Sequence, residues 1–182
     1  MSFRQLVLVT HRWLGLGSSG ILAIVGLTGA FLITPGLPLR KIAGGLHEKL
    51  ALGTPGAWIV TIATAAAVLL ELGGCFLWWK QKLLRVRSGK GWRQTLADLH
   101  HVVGAVAFVL MFLLALSGVF AAFVTPKRNP ELRKVVMDLH TARTFPWPVK
   151  VLYVVGTTGF FVQGATGIVM WWKPKRARNW GE

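Results

Sequence analysis

The sequence predicts an all-α membrane protein: a four-transmembrane-helix bundle built from two parallel two-helix repeats with amphipathic outer connectors. Three observations predict it. First, 53% of the 182 residues are hydrophobic and the mean hydropathy is +0.54, too apolar for a soluble domain of this size. Second, residues 13–39, 102–126 and 151–172 carry no charge, and residues 50–79 carry only Glu71. Each stretch reaches the roughly 20 residues that cross a hydrocarbon core about 30 Å thick. Third, much of the chain is written twice. His11-Arg12-Trp13-Leu14-Gly15 returns as His100-His101-Val102-Val103-Gly104, and Thr28-Gly29-Ala30-Phe31 as Ser117-Gly118-Val119-Phe120, both 89 positions on. Leu39-Arg40-Lys41, Leu46-His47 and Gly74-Cys75-Phe76-Leu77-Trp78-Trp79-Lys80 return 93 positions on. Residues 1–182 therefore read as a single transmembrane domain of two repeats, 1–90 and 91–182.

Spanning helices are expected at about 12–34, 56–79, 100–124 and 148–172. The first is too long, and lacks the small-residue cleavage site, for a signal peptide. Thr34-Pro35-Gly36 and Thr125-Pro126 stop the first helix of each repeat, because proline lacks the backbone donor and clashes with the preceding turn. The connectors, Leu39 to Leu52 and Leu132 to Arg143, set apolar residues at helical spacing beside cations, the pattern of a short helix on a membrane surface. Gly53-Thr54-Pro55-Gly56 and Phe145-Pro146-Trp147-Pro148 are expected to break the chain before the second span.

A net charge of +15 suggests nucleic acid in a soluble protein. Here the cations flank apolar spans, so they read as topology signals and as contacts to anionic lipid, and no nucleic-acid partner is expected. Twelve of the 21 Lys and Arg residues fall on the side of both termini and the 80–93 loop, which places both termini in the cytoplasm. Trp78, Trp79, Trp171 and Trp172 mark the same boundary. Cys75 is the one cysteine, so there is no internal disulfide and no Cys-x-x-Cys-His for covalent haem.

Two spans per repeat make the repeats parallel, related by an axis along the membrane normal. Four of the five histidines are repeat equivalents: His11 with His100 near the cytoplasmic face, His47 with His140 near the outer face. A haem iron already has four porphyrin nitrogens and needs one axial ligand from each side, which a two-fold provides. The expected cofactors are two haem b groups, with His11 and His100 on one iron and His47 and His140 on the other. Bis-histidine zinc fits less well, since a structural zinc takes four ligands. Gly15, Gly17, Gly20, Gly26 and Gly29, with Gly104 and Gly118, leave room for a flat macrocycle, or else for close helix packing. His101 matches Arg12, and both are candidate propionate contacts, as are Arg40 and Arg133 with their neighbouring lysines. Asp98 reads as a helix N-cap before it reads as a partner of a ligand histidine. Glu71 either carries protons or, as the reading slightly favours, hydrogen-bonds across helices.

His-Arg-Trp-Leu-Gly followed by Leu-Thr-Gly, then Asp-Leu-His with glycine four residues after the histidine, and Trp-Trp-Lys closing the second and fourth helices, resemble the PepSY-associated transmembrane family. The resemblance covers nearly the whole chain. It implies a bacterial inner-membrane protein similar to siderophore-iron reductases with two haems b, ligated here by His11, His100, His47 and His140. Many members insert a periplasmic PepSY domain between helices one and two, where this chain has only a loop from about 35 to 55. Two function classes follow. One is a di-haem cytochrome b moving electrons across the membrane, as a ferric- or quinone-linked oxidoreductase served by a quinone or redox-protein partner, since no dinucleotide fingerprint is present. The other is a small accessory subunit of a larger membrane complex, its haems non-catalytic or absent.

Overall fold

The computed structural model describes residues 1–34, 36, 38–79, 84–87, 91–123 and 129–172. Six helices account for nearly all of them: α1 (Phe3–Ile33), α2 (Arg40–Lys49), α3 (Gly53–Trp79), α4 (Trp92–Phe123), α5 (Pro130–Thr141) and α6 (Trp147–Trp172). No strand occurs among the described residues. The helices α1, α3, α4 and α6 are long and apolar enough to cross a membrane.

The spanning helices form a closed ring in which α1 packs on α3, α3 on α4, α4 on α6 and α6 on α1. The surface helix α2 lies against α1 and α3, and α5 lies against α4. The ring maps onto itself when α1 and α3 are exchanged for α4 and α6, so the sequence repeat is a structural two-fold among the spanning helices; the connectors follow it less closely, α2 reaching α3 while α5 stays mainly on α4. Small residues let the helices meet. Leu22, Ala63, Ala67 and Ala115 make one buried cluster, and Leu114, Ala142 and Tyr153 another. Phe160 packs against both. A Cβ on Gly26 would come within 2.6 Å of the Thr157 carbonyl, so glycine there sets the closeness of α1 and α6.

Two helices run further than hydropathy predicts. α1 starts at Phe3, where Ser2 and Gln5 form a reciprocal capping box. α4 starts at Trp92, eight residues before His100. Apolar runs mark the part of a helix inside hydrocarbon, and nothing stops a helix from continuing into the headgroup layer with Arg4, Arg12 or Arg93 reaching water. The break before α3 also moves. It falls at Leu50 and Ala51, both left-handed at φ 49° and 58°, and Pro55 sits in the first turn of α3, where a missing N–H costs nothing. Ala142 makes the equivalent left-handed turn after α5, at φ 50°. Pro35, Thr125, Pro126 and the cations at 80, 82, 90 and 173–178 lie outside the described residues.

Candidate functional site

Local chemistry first decides where each histidine ring is held. His47, in the last turn of α2, has its Nδ1 2.9 Å from the Val25 carbonyl and 3.4 Å from Thr28 Oγ1. His140, in the last turn of α5, has its Nδ1 3.2 Å from Ser117 Oγ, and it meets the Leu114 backbone. Val25 and Leu114 are repeat equivalents, as are Thr28 and Ser117. Each ring also lies against a glycine: a Cβ on Gly29 would sit 3.2 Å from His47 Cε1, and one on Gly118 3.1 Å from His140 Cε1. The Thr-Gly and Ser-Gly pairs of the repeat are thus seats for histidine rings. Burial pushes the His47 imidazole down, and that of His140 to about 4, so both are neutral at pH 7, the form that binds a metal.

At the other end of the bundle, His11 on α1 and His100 on α4 lie against Gly74 and Gly167 in the same manner, at 3.3 and 3.8 Å from the would-be Cβ. His100 Nδ1 is 2.8 Å from Thr166 Oγ1. The repeat equivalent of Thr166 is Gly73, and His11 Nδ1 accordingly is buried with no hydrogen bond of normal geometry, leaning only loosely toward the Leu70 backbone. Gln163 donates to the His100 carbonyl at 2.7 Å, and a Cβ on Gly104 would meet its Nε2 at 2.8 Å. The glycine four residues after His100 is what admits Gln163.

The two-fold brings the histidines together in pairs. Ring centres of His11 and His100 are 6.5 Å apart with planes at 88°, and those of His47 and His140 are 5.9 Å apart with planes at 43°. Imidazole nitrogen binds a transition metal at about 2 Å, with its ring centre about 1 Å further back, so two axial ligands on one metal have centres about 6 Å apart. Both pairs meet that spacing, and the plane angle is free because each ring can rotate about its own metal bond. Where Nδ1 faces a carbonyl, or a hydroxyl whose own proton goes to a backbone carbonyl as in Thr166 and Ser117, Nδ1 donates and Nε2 is left for a metal. The anchors Thr28 and Ser117 lie 17 residues beyond His11 and His100, or about 25 Å along the helix at 1.5 Å per residue. The pairs therefore stand near opposite faces of a core about 30 Å thick.

A cavity of about 460 Å³ adjoins the His11–His100 pair and is walled by α1, α3, α4 and α6. Its size suits a single organic cofactor. Gly15, Gly104, Glu71 and Gln163 line it, with Arg4 and Arg12. The lining suits a flat apolar cofactor that carries carboxylates: apolar walls, an imidazole pair, and cations able to meet the carboxylates.

His101, matched to Arg12 by the repeat, lines the same cavity as Arg12; its ring centre is 6.4 Å from that of His100 and its Nδ1 is buried without a hydrogen bond. Several expectations change. Asp98 is no N-cap. It is fully buried on the second turn of α4, where the Arg87 backbone N, Nε and Nη2 donate to it at 2.9, 3.0 and 2.7 Å and Gln94 donates at 2.6 Å. That clamp also raises the Arg87 pKa through its hydrogen bond. Gly17 and Gly20 face outward with nothing near them, so of the seven glycines only Gly15 and Gly104 line the cavity. Arg133 donates at 2.8 Å to the Ala121 carbonyl, capping the end of α4, and Arg40 is exposed at the start of α2. Glu71 makes no hydrogen bond across helices among the described residues. Sequence reasoning missed Arg4, Thr166 and Gln163, whose roles depend on helices that meet only in the fold.

The sequence profile of the family described as PepSY-associated TM region matches residues 34–131. No curated protein matches, and no solved structure matches.

Proposed function

The chain belongs to the PepSY-associated TM family, and from that premise and its paired imidazoles we propose that it is a di-haem b membrane cytochrome that carries electrons between the two faces of a bacterial inner membrane. One observation carries the reading: two symmetric cross-bundle histidine pairs, each at the spacing of axial ligands on one metal. When bound, haem b supplies a one-electron store at each end. The chain's own residues do the rest. His11 and His100 hold one group, His47 and His140 the other, and Thr166, Ser117 and the Val25 carbonyl fix the ring tautomers. Arg4, Arg12 and His101 line the first site, where they can meet propionates, and Arg40 and Arg133 start the helices that carry the second pair. The positive-inside balance puts both termini and the His11–His100 site on the cytoplasmic side. A quinol or a reduced redox protein would then be the electron donor.

A second reading, an accessory subunit in a larger membrane complex, is favoured by the short connectors α2 and α5, which offer little surface for a substrate. A reduced-minus-oxidised visible spectrum of the purified protein is the test. The cytochrome reading expects low-spin haem b at two per chain and reduction by a quinol. Haem near zero after expression with ample haem ends it, and haem that no quinol or redox protein reduces turns the balance to the subunit.

A further inference from the structure

Glu71 is the one charged residue within the four apolar stretches, and a carboxylate in hydrocarbon is costly enough to require a reason. Helix-to-helix hydrogen bonding is not that reason, because Glu71 has no hydrogen bond or ion pair among the described residues. It lines the cavity beside the His11–His100 pair. On α3 it stands one turn before Gly74, the seat of the His11 ring, and residues three apart share a helix face. The repeat does not copy it. The equivalent residue, Gly164, lies so close to α1 that a Cβ would be 2.8 Å from the Ser19 carbonyl, leaving no space for a side chain. The acid therefore stands on one wall of one site. The other titratable or charged groups facing this cavity are Arg4, His11 and Arg12 from α1, Cys75 from α3, and His100 and His101 from α4, with none from α6.

An electron entering a low-dielectric site raises the energy of any nearby negative charge and favours its protonation. We propose that Glu71 is the proton acceptor coupled to electron entry at the His11–His100 site. As one electron arrives from a quinol or reduced redox protein, the Glu71 carboxylate takes up one proton from the aqueous phase. It returns that proton when the electron leaves, so the net charge of the cavity is the same before and after. This inference rests on the di-haem reading.

Potentiometric titration of the purified cytochrome from pH 6 to pH 10 tests it, the two components being assigned with His11→Ala and His47→Ala. The His11–His100 component should fall in midpoint potential by up to about 59 mV per pH unit over part of that range, the tenfold-per-unit dependence of one proton per electron. Glu71→Gln should flatten that slope, Glu71→Asp should restore it, and the other component should keep its own pH dependence throughout. Independently, the reduced-minus-oxidised infrared spectrum should gain a protonated-carboxyl band that Glu71→Gln removes. Haem bound with a pH-independent wild-type potential, or a slope and band that survive in Glu71→Gln, overturns the proposal and leaves the cytochrome reading intact. Protein that binds no haem overturns both.

Discussion

At the residue scale, the ligand histidines differ in what holds their second nitrogen, and that difference can be measured. Thr166→Val removes the hydroxyl that meets His100 Nδ1. Partners of this kind commonly account for about 10- to 100-fold in metal affinity, and they raise ligand basicity. Thr166→Val should therefore loosen the haem at the His11–His100 site by about that factor and raise its midpoint potential, as read by haem titration and potentiometry. Gly73→Thr is the converse change. A Cβ there sits 3.7 Å from His11 Nδ1, with ordinary contact to Val7, so the new hydroxyl can reach the unpaired nitrogen. It should tighten the same haem and lower its potential. The ring seats give a sharper contrast. Gly118→Ala brings a methyl to 3.1 Å from His140 and 3.2 Å from Thr64, while Gly167→Ala meets His100 only at 3.8 Å. The first should disturb the His47–His140 component and the second should leave its own component in place; equal effects would mean that the glycines do not set the ring positions.

At the element scale, the Arg87–Asp98 clamp fixes the start of α4. Its carboxylate accepts four hydrogen bonds, two of them in the fork geometry that makes arginine pairs strong. Removing the Arg87 side chain leaves a buried carboxylate without its counter-ion, with only the residue-87 backbone N–H and Gln94 as donors, whereas removing both charges does not. Arg87→Ala should lower Tm more than the double variant Arg87→Met with Asp98→Leu. Hydrogen exchange should show the loss at residues 92–99, ahead of the rest of α4. A single variant with unchanged Tm and exchange would show the clamp to be dispensable. The same scale explains why the connectors matter: α2 and α5 carry no span, yet the left-handed residues Leu50, Ala51 and Ala142 fold them back so that His47 and His140 enter the bundle.

At the scale of the whole molecule, the two-fold pairs histidines across repeats and not within one. His11→Ala and His100→Ala should abolish the same haem component in a redox titration, while His47→Ala and His140→Ala abolish the other. Loss of one component by both His11→Ala and His47→Ala would place the ligands within a single repeat. His101 tests the register, since it too lines the cavity. His101→Leu should retain both haems with at most a shifted potential, and His100→Leu should lose one.

Taken alone, the sequence determined the four spans, the repeat, the connector helices and the identity of the paired histidines. Hydrophobic length and internal duplication are properties of the chain itself, and a membrane permits few ways to satisfy the backbone of an apolar segment. The candidate Thr28-Gly29 and Ser117-Gly118 signals were legible too, though as space for a macrocycle and not as seats for rings. Only the tertiary structure decided which atoms hold each imidazole, that Asp98 is clamped by Arg87 across a connector, and that Glu71 and His101 share a cavity with the His11–His100 pair. The hydrogen bonds among those contacts join residues between 11 and 66 positions apart. No local periodicity encodes them; they exist because small residues let four helices close into a ring, and the ring chooses which side chains meet.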